Sequence, residues 1–137
     1  MRTLGLDYGS KRIGVALSDP EGIMAHPIRT IHVKSDGSHI RDILTIIHTY
    51  QVTKVVIGLP YNMDGSLGNK GEEVMKWGRY LEQALGLPVV FWDERLSTSE
   101  AHEMLLAVNI KGRKRRVIID KIAASIILKG YLDSENS

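Results

Sequence analysis

Thr3-Leu4-Gly5-Leu6-Asp7-Tyr8-Gly9-Ser10-Lys11-Arg12-Ile13-Gly14-Val15-Ala16-Leu17-Ser18 decides how the rest of the chain is read. The run predicts a strand from Thr3 to Asp7, a tight turn, and a second strand from Arg12 to Ser18. A carboxylate inside a near-apolar central strand is costly unless it is paired, protonated or bound to a cation. Glycines at 5, 9 and 14 leave room for another backbone or a ligand to come close. Two more acids, Glu94 and Asp120, stand where an α/β fold can bring them to Asp7. Three such carboxylates suit divalent metal and phosphodiester chemistry.

The period of the apolar residues gives the remaining elements. Asp19-Pro20-Glu21-Gly22 is a turn, and Ile28 to Val33 reads as a third strand, so the first three strands form an antiparallel meander. Ile40, Ile43, Leu44 and Ile47 fall at helical spacing and predict a helix from Ser38 to Tyr50. Lys54 to Leu59 is a short buried strand of the parallel kind. Pro60 to Gly71 reads as a loop. Val74, Trp77, Leu81 and Leu85 mark a helix closed by Gly86-Leu87-Pro88. Val89 to Trp92 is the fifth strand. Ser97 and Glu100 have capping-box spacing and open a helix whose apolar face is Ala101, Leu105 and Val108. Asn109 to Arg116 reads as a polar connector. A final helix runs from Ile118 to Leu132, with Ile119, Ile122, Ala123, Ile126 and Ile127 inward. The expected product is an α/β domain over residues 1–137, a five-stranded mixed sheet with helices on both faces.

With 137 residues and 43% hydrophobic content, the chain can bury one ordinary core. No apolar run approaches the roughly 18 residues of a membrane span, and the first residues lack a signal-peptide pattern. These features predict a cytoplasmic protein with no membrane partner. The absence of cysteine excludes disulfides and thiolate metal sites and fits a reducing compartment. Net charge is +2, but Lys111 to Lys121 holds six basic residues against one acid, leaving −3 on the remainder. That asymmetry points to polyanions. Lys111, Arg113, Lys114, Arg115 and Arg116 are expected in a mobile loop that closes over nucleic acid. Lys11, Arg12 and Arg95 adjoin the acids and are candidate phosphate contacts. The five histidines lack metal-ligand spacing. Trp77 and Trp92 read as core, whereas Tyr61 is a candidate for base stacking.

Each acid has an ordinary alternative on residues alone. Asp7 can bond the Tyr8-Gly9 turn, Glu94 can pair with Arg95, and Asp120 can pair with Arg116 one helical turn earlier. Four stretches together narrow the choice. Asp7-Tyr8-Gly9-Ser10-Lys11-Arg12-Ile13-Gly14-Val15-Ala16-Leu17-Ser18-Asp19, Val56-Ile57-Gly58-Leu59-Pro60, Asp93-Glu94-Arg95-Leu96-Ser97-Thr98 and Asp120-Lys121-Ile122-Ala123-Ala124 resemble, in order, the motifs of the YqgF/RuvX family. The resemblance spans the chain. It implies the RNase H-like fold and a nuclease dependent on Mg²⁺ or Mn²⁺, with Asp7, Glu94 and Asp120 as catalytic and metal-binding residues. Members are described as Holliday junction resolvases and as nucleases trimming the 5′ end of precursor 16S ribosomal RNA. The implied partner is therefore precursor rRNA or branched DNA, and the protein acts as a monomer or homodimer. One departure stands out: related resolvases carry an acid near the end of the fourth strand, and here Gly58-Leu59-Pro60-Tyr61-Asn62 has none before Asp64. Two other classes are weighed. One is a non-catalytic RNA- or ribosome-binding module; the other, suggested by Asp7-Tyr8-Gly9-Ser10, is half of an actin-like phosphotransferase.

Overall fold

Leucine and glycine alternate along β1 (Arg2–Tyr8), and this gives the strand two unlike faces. The structure is a computed structural model that describes residues 1–96 and 113–136, with side chains in the second stretch from Arg116 onward. β2 (Arg12–Ser18) pairs antiparallel with β1, setting Leu4 opposite Leu17 and Leu6 opposite Val15 on one face. On the other face Gly5 meets Ala16 and Asp7 meets Gly14. β3 (Ala25–His32) adds antiparallel to β2. β4 (Val52–Leu59) lies parallel to β1, and β5 (Val89–Asp93) parallel to β4. The strand order is β3-β2-β1-β4-β5.

The leucine face is covered by α1 (Ser38–Tyr50) and α2 (Asn69–Leu85). Ile43, Ile46 and Ile47 of α1 and Val74 and Leu81 of α2 are buried against Leu4, Leu6, Ile13, Val15 and Ile57. Helix α1 has Gly37 at its N-cap and no capping side chain, a loss of only about a few tenths of a kcal/mol. Its three buried isoleucines offset that several times over, at about 1.5–3 kcal/mol each. The glycine face receives α3 (Arg113–Glu135), through Ala124, Ile127, Leu128, Tyr131 and Leu132. A β-carbon on Gly5 would lie 2.7 Å from Leu128 Cβ, and one on Gly14 would collide with the Asp120 carbonyl oxygen. The close approach foreseen at residues 5 and 14 is thus that of α3 to the sheet. Thr30 Oγ1 donates to the Val117 carbonyl and ties the start of α3 to β3.

Among the described residues the strand and helix order matches the sequence expectation, with four revisions. β3 begins at Ala25 rather than Ile28 because an edge strand tolerates Pro27, and the register slips between Val15 and Ala16 to admit it. α2 begins at Asn69, so the expected loop ends at Gly68. Gly71, read as a loop residue, is a packing glycine whose β-carbon would sit 2.9 Å from the Pro60 carbonyl oxygen. α3 begins at Arg113, not Ile118, since Lys and Arg are good helix formers. Its fully buried stripe is Ala124, Ile127, Leu128, Tyr131 and Leu132. Of the five inward positions expected, only Ile127 is fully buried. The helix opening at Ser97, with Ala101, Leu105 and Val108, lies outside the described residues, as do residues 109–112 of the connector. Among the described residues, no helix is long and apolar enough to cross a membrane.

Gly14→Ala should therefore push α3 off the sheet and destabilise the protein by about 3 kcal/mol, the range of core overpacking. Thermal unfolding should show a Tm lower by about 10 °C. A Tm unchanged from wild type would contradict the tight docking.

Candidate active site

Parallel pairing of β1, β4 and β5 brings their carboxyl ends to one edge of the sheet, where open α/β sheets hold their sites. Asp7 stands near the end of β1 on the α3 face. Glu94 follows β5 directly and opens a short 3₁₀ turn, Glu94–Leu96. That turn swings its carboxylate back over β4: a β-carbon on Gly58 would lie 2.6 Å from Glu94 Oε1. The fourth strand lacks an acid, and its glycine supplies the space that Glu94 occupies instead. Asp120 arrives from α3 at the level of Gly14, which faces Asp7 across the β1–β2 pair.

The three acids share a cleft of about 320 Å³. Its rim is the β1–β2 turn from Tyr8 to Arg12, closed by the Gly9 amide donating to the Arg12 carbonyl at 2.9 Å. Pro60 and Lys70 complete the lining. Arg12 Nε donates to Asp120 Oδ2 at 2.6 Å, so Asp120 pairs with Arg12 rather than with Arg116. Tyr8 stacks on Trp77 with ring centroids 4.3 Å apart. Trp92 packs edge-on against Tyr131, in keeping with a core role.

Burial pushes the Asp7 carboxyl up to about 7, helped by the negative charges of Glu94 and Asp120 and opposed by Lys70. Glu94 is raised as well, chiefly by burial, with Lys70 again opposing and Asp93 adding. A buried carboxylate repelled by two neighbours is short of positive charge, and an all-oxygen donor set suits a hard divalent cation. Among the described residues, no three acidic or histidine groups stand close enough to enclose one ion as they lie. Asp7, Glu94 and Asp120 all line the cleft, and Asp120 is held there by Arg12.

Of the expected phosphate contacts, Lys11 and Arg12 line the cleft. Arg95 does not. It forks onto Asp93 at 2.8 Å, donates to the Asn62 carbonyl, and covers the Tyr61 ring, so both Arg95 and Tyr61 are engaged in structure. The feared Glu94–Arg95 pairing is thus replaced by Asp93–Arg95. Lys111 lies outside the described residues. Arg113, Lys114, Arg115 and Arg116 belong to α3, which corrects the expectation of a mobile loop there. The sequence reading missed Lys70. It falls at the second residue of α2, and the misplaced helix start hid it among loop residues.

The family described as RuvX, Holliday junction resolvase, matches residues 1–134. A protein of Caldanaerobacter subterraneus subsp. tengcongensis named "Putative pre-16S rRNA nuclease" is 50% identical over 138 aligned positions, covering 100% of this chain and 99% of that one. A protein of the same name from Syntrophus aciditrophicus is 48% identical, covering 98% and 89%. Among solved structures, Thermus thermophilus RuvC in complex with a Holliday junction substrate superposes with a TM-score of 0.62 at 13% identity, over 100% and 98% of the two chains. The Fowlpox virus resolvase bound to Holliday junction DNA gives 0.61 at 11%, over 100% of both. These likenesses establish the RNase H-like fold.

The Asp7 shift has a definite sign. Its folded pKa lies above the unfolded value of 3.8, so the favourable protonated state is complete below about pH 4 and is lost as pH rises through about 7. In metal-free buffer, Asp7→Asn should escape this loss. Urea unfolding at pH 8 should find the variant more stable than wild type, by as much as about 4 kcal/mol at 1.36 kcal/mol per pKa unit. The advantage should shrink toward pH 5. An equal difference at both pH values would remove the electrostatic explanation.

Proposed function

The chain belongs to the RuvX family of Holliday junction resolvases, and we propose that its whole length acts as one nuclease domain trimming the 5′ end of precursor 16S rRNA in the cytoplasm. It is a phosphodiester-hydrolysing enzyme. The observation that carries the finer reading is the convergence of Asp7, Glu94 and Asp120 on one cleft that also presents Lys11. RNA is favoured over DNA because relatives near 50% identity bear the pre-16S rRNA name over their full length. Trimming one RNA end needs one cleft, so a monomer suffices.

A phosphodiester resists attack because its anionic oxygens repel a nucleophile. Bound divalent ions, Mg²⁺ or Mn²⁺, would supply water activation and charge neutralisation. Asp7 and Glu94 would hold them, and Asp120 would complete the donor set from a helix locked to the sheet. Rigid mounting is what this chemistry requires, and Asp7 stands on β1, Asp120 on α3 and Glu94 on the 3₁₀ turn directly after β5. Lys11 offers positive charge to the incoming backbone. Arg113, Lys114, Arg115 and Arg116 occupy the first turn of α3, about 6–10 Å before Asp120 at about 1.5 Å per residue. Positive charge there adds to the positive end of the helix dipole and extends the attraction for phosphate.

Incubation with Mg²⁺ or Mn²⁺ should cleave precursor 16S rRNA and leave a four-way DNA junction largely intact. EDTA should abolish cleavage, and Asp7→Asn should lower it about a hundredfold or more in a protein that still folds. Full activity of that variant would refute the catalytic assignment, and preferential junction cutting would reverse the substrate assignment. Alanine at 113–116 should weaken RNA and DNA binding alike and flatten its dependence on salt. An unchanged slope would exclude these residues from the interface.

A further inference from the structure

Lys70 stands at a position that helix energetics disfavour. It is the second residue of α2, where the helix dipole presents its positive end and an acid would be stabilising. Its side chain nevertheless lines the cleft with Asp7, Glu94 and Asp120. Among the described residues it makes no hydrogen bond or ion pair, although its charge is felt by both Asp7 and Glu94. The other cations nearby are differently placed. Arg12 is already committed to Asp120 and Arg95 to Asp93. Lys11 enters the same cleft from the β1–β2 turn. The cleft is therefore flanked by two lysines free of carboxylate partners among the described residues, one on the turn and one on α2.

From this placement, and resting on the nuclease reading above, we propose that Lys70 is a substrate-binding residue whose ammonium contacts a phosphate of the nucleic acid strand beside the acids. A lysine acts on phosphate as a mobile point charge, which suits an exposed stem rooted on a rigid helix. Because it repels a cation, Lys70 serves the anion and not the metal. The two functions have opposite signs and can be separated by experiment.

The test compares wild type, Lys70→Ala and Lys70→Arg. Binding of a short single-stranded RNA carrying the precursor 5′ end is measured in EDTA across a salt series, and Mn²⁺ binding is measured by calorimetry without RNA. Loss of one charge-assisted phosphate contact should weaken RNA binding of Lys70→Ala about tenfold and reduce the salt slope by about 0.7. Lys70→Arg should stay within about threefold of wild type, since it keeps the charge. Mn²⁺ should bind Lys70→Ala as tightly as wild type or more tightly, because a neighbouring positive charge is gone. RNA affinity and slope unchanged in Lys70→Ala would overturn the proposal, and so would weaker Mn²⁺ binding, which would make Lys70 a support of the metal site. Cleavage by wild type together with an unaltered Lys70→Ala would sink this inference alone. A wild type that neither binds nor cuts RNA would sink the nuclease reading with it.

Discussion

The absence of side chains at Gly5, Gly14 and Gly58 is the constraint on which the rest of the structure depends. These three residues pave one face of the central strands; the α3 backbone lies against Gly5 and Gly14, and the side chains of Ile127 and Glu94 lie over Gly58. The other face is a conventional apolar layer of leucine, valine and isoleucine under α1 and α2. A sheet that was branched on both faces would hold α3 farther out, at ordinary helix-to-sheet separation. Asp120 would then stand apart from Asp7, and the space over Gly58 would be filled before Glu94 could enter it. The glycine face thus converts a packing arrangement into a meeting of carboxylates.

That meeting is electrostatically unfavourable without a cation, and the surrounding residues limit the penalty unevenly. Arg12 neutralises Asp120 directly, at 2.6 Å. Arg95 does the same for Asp93 just outside the cleft, holding that carboxyl below its usual range. Asp7 and Glu94 receive no such partner from Arg12 or Arg95, and both carboxyls rise, foremost through burial. Asp120 is thus anchored to the first hairpin, whereas burial is the largest influence on Asp7 and Glu94. Stability is sacrificed at this point in the manner typical of functional sites.

Much of this was legible in the sequence because the decisive signals were local. An acid in an apolar strand, glycines flanking it, and the alternation of strand and helix periods gave the sheet and the α/β layering. The boundaries of β2 and α1 followed from turn residues and helical spacing. What was not legible depended on tertiary contact. Gly71 signals a loop by composition, yet it sits in α2, where any side chain would collide with Pro60 and Leu67. Its misreading concealed Lys70. Arg95 follows a candidate ligand in sequence, but the bend after β5 turns it back onto Asp93. The face of α3 could not be chosen from hydrophobicity, since isoleucines occur around much of the helix and only the glycine surface decides which of them are covered.

The Arg12–Asp120 contact joins residues 108 positions apart, linking the first hairpin to the last described helix. Contacts between residues so far apart close long loops and slow folding. During synthesis the hairpin carrying Asp7 emerges first, but the wall bearing Asp120 follows only when the segment reaching Glu135 has cleared the ribosome. A nascent or C-terminally clipped chain would possess the strand acid and lack the finished cleft.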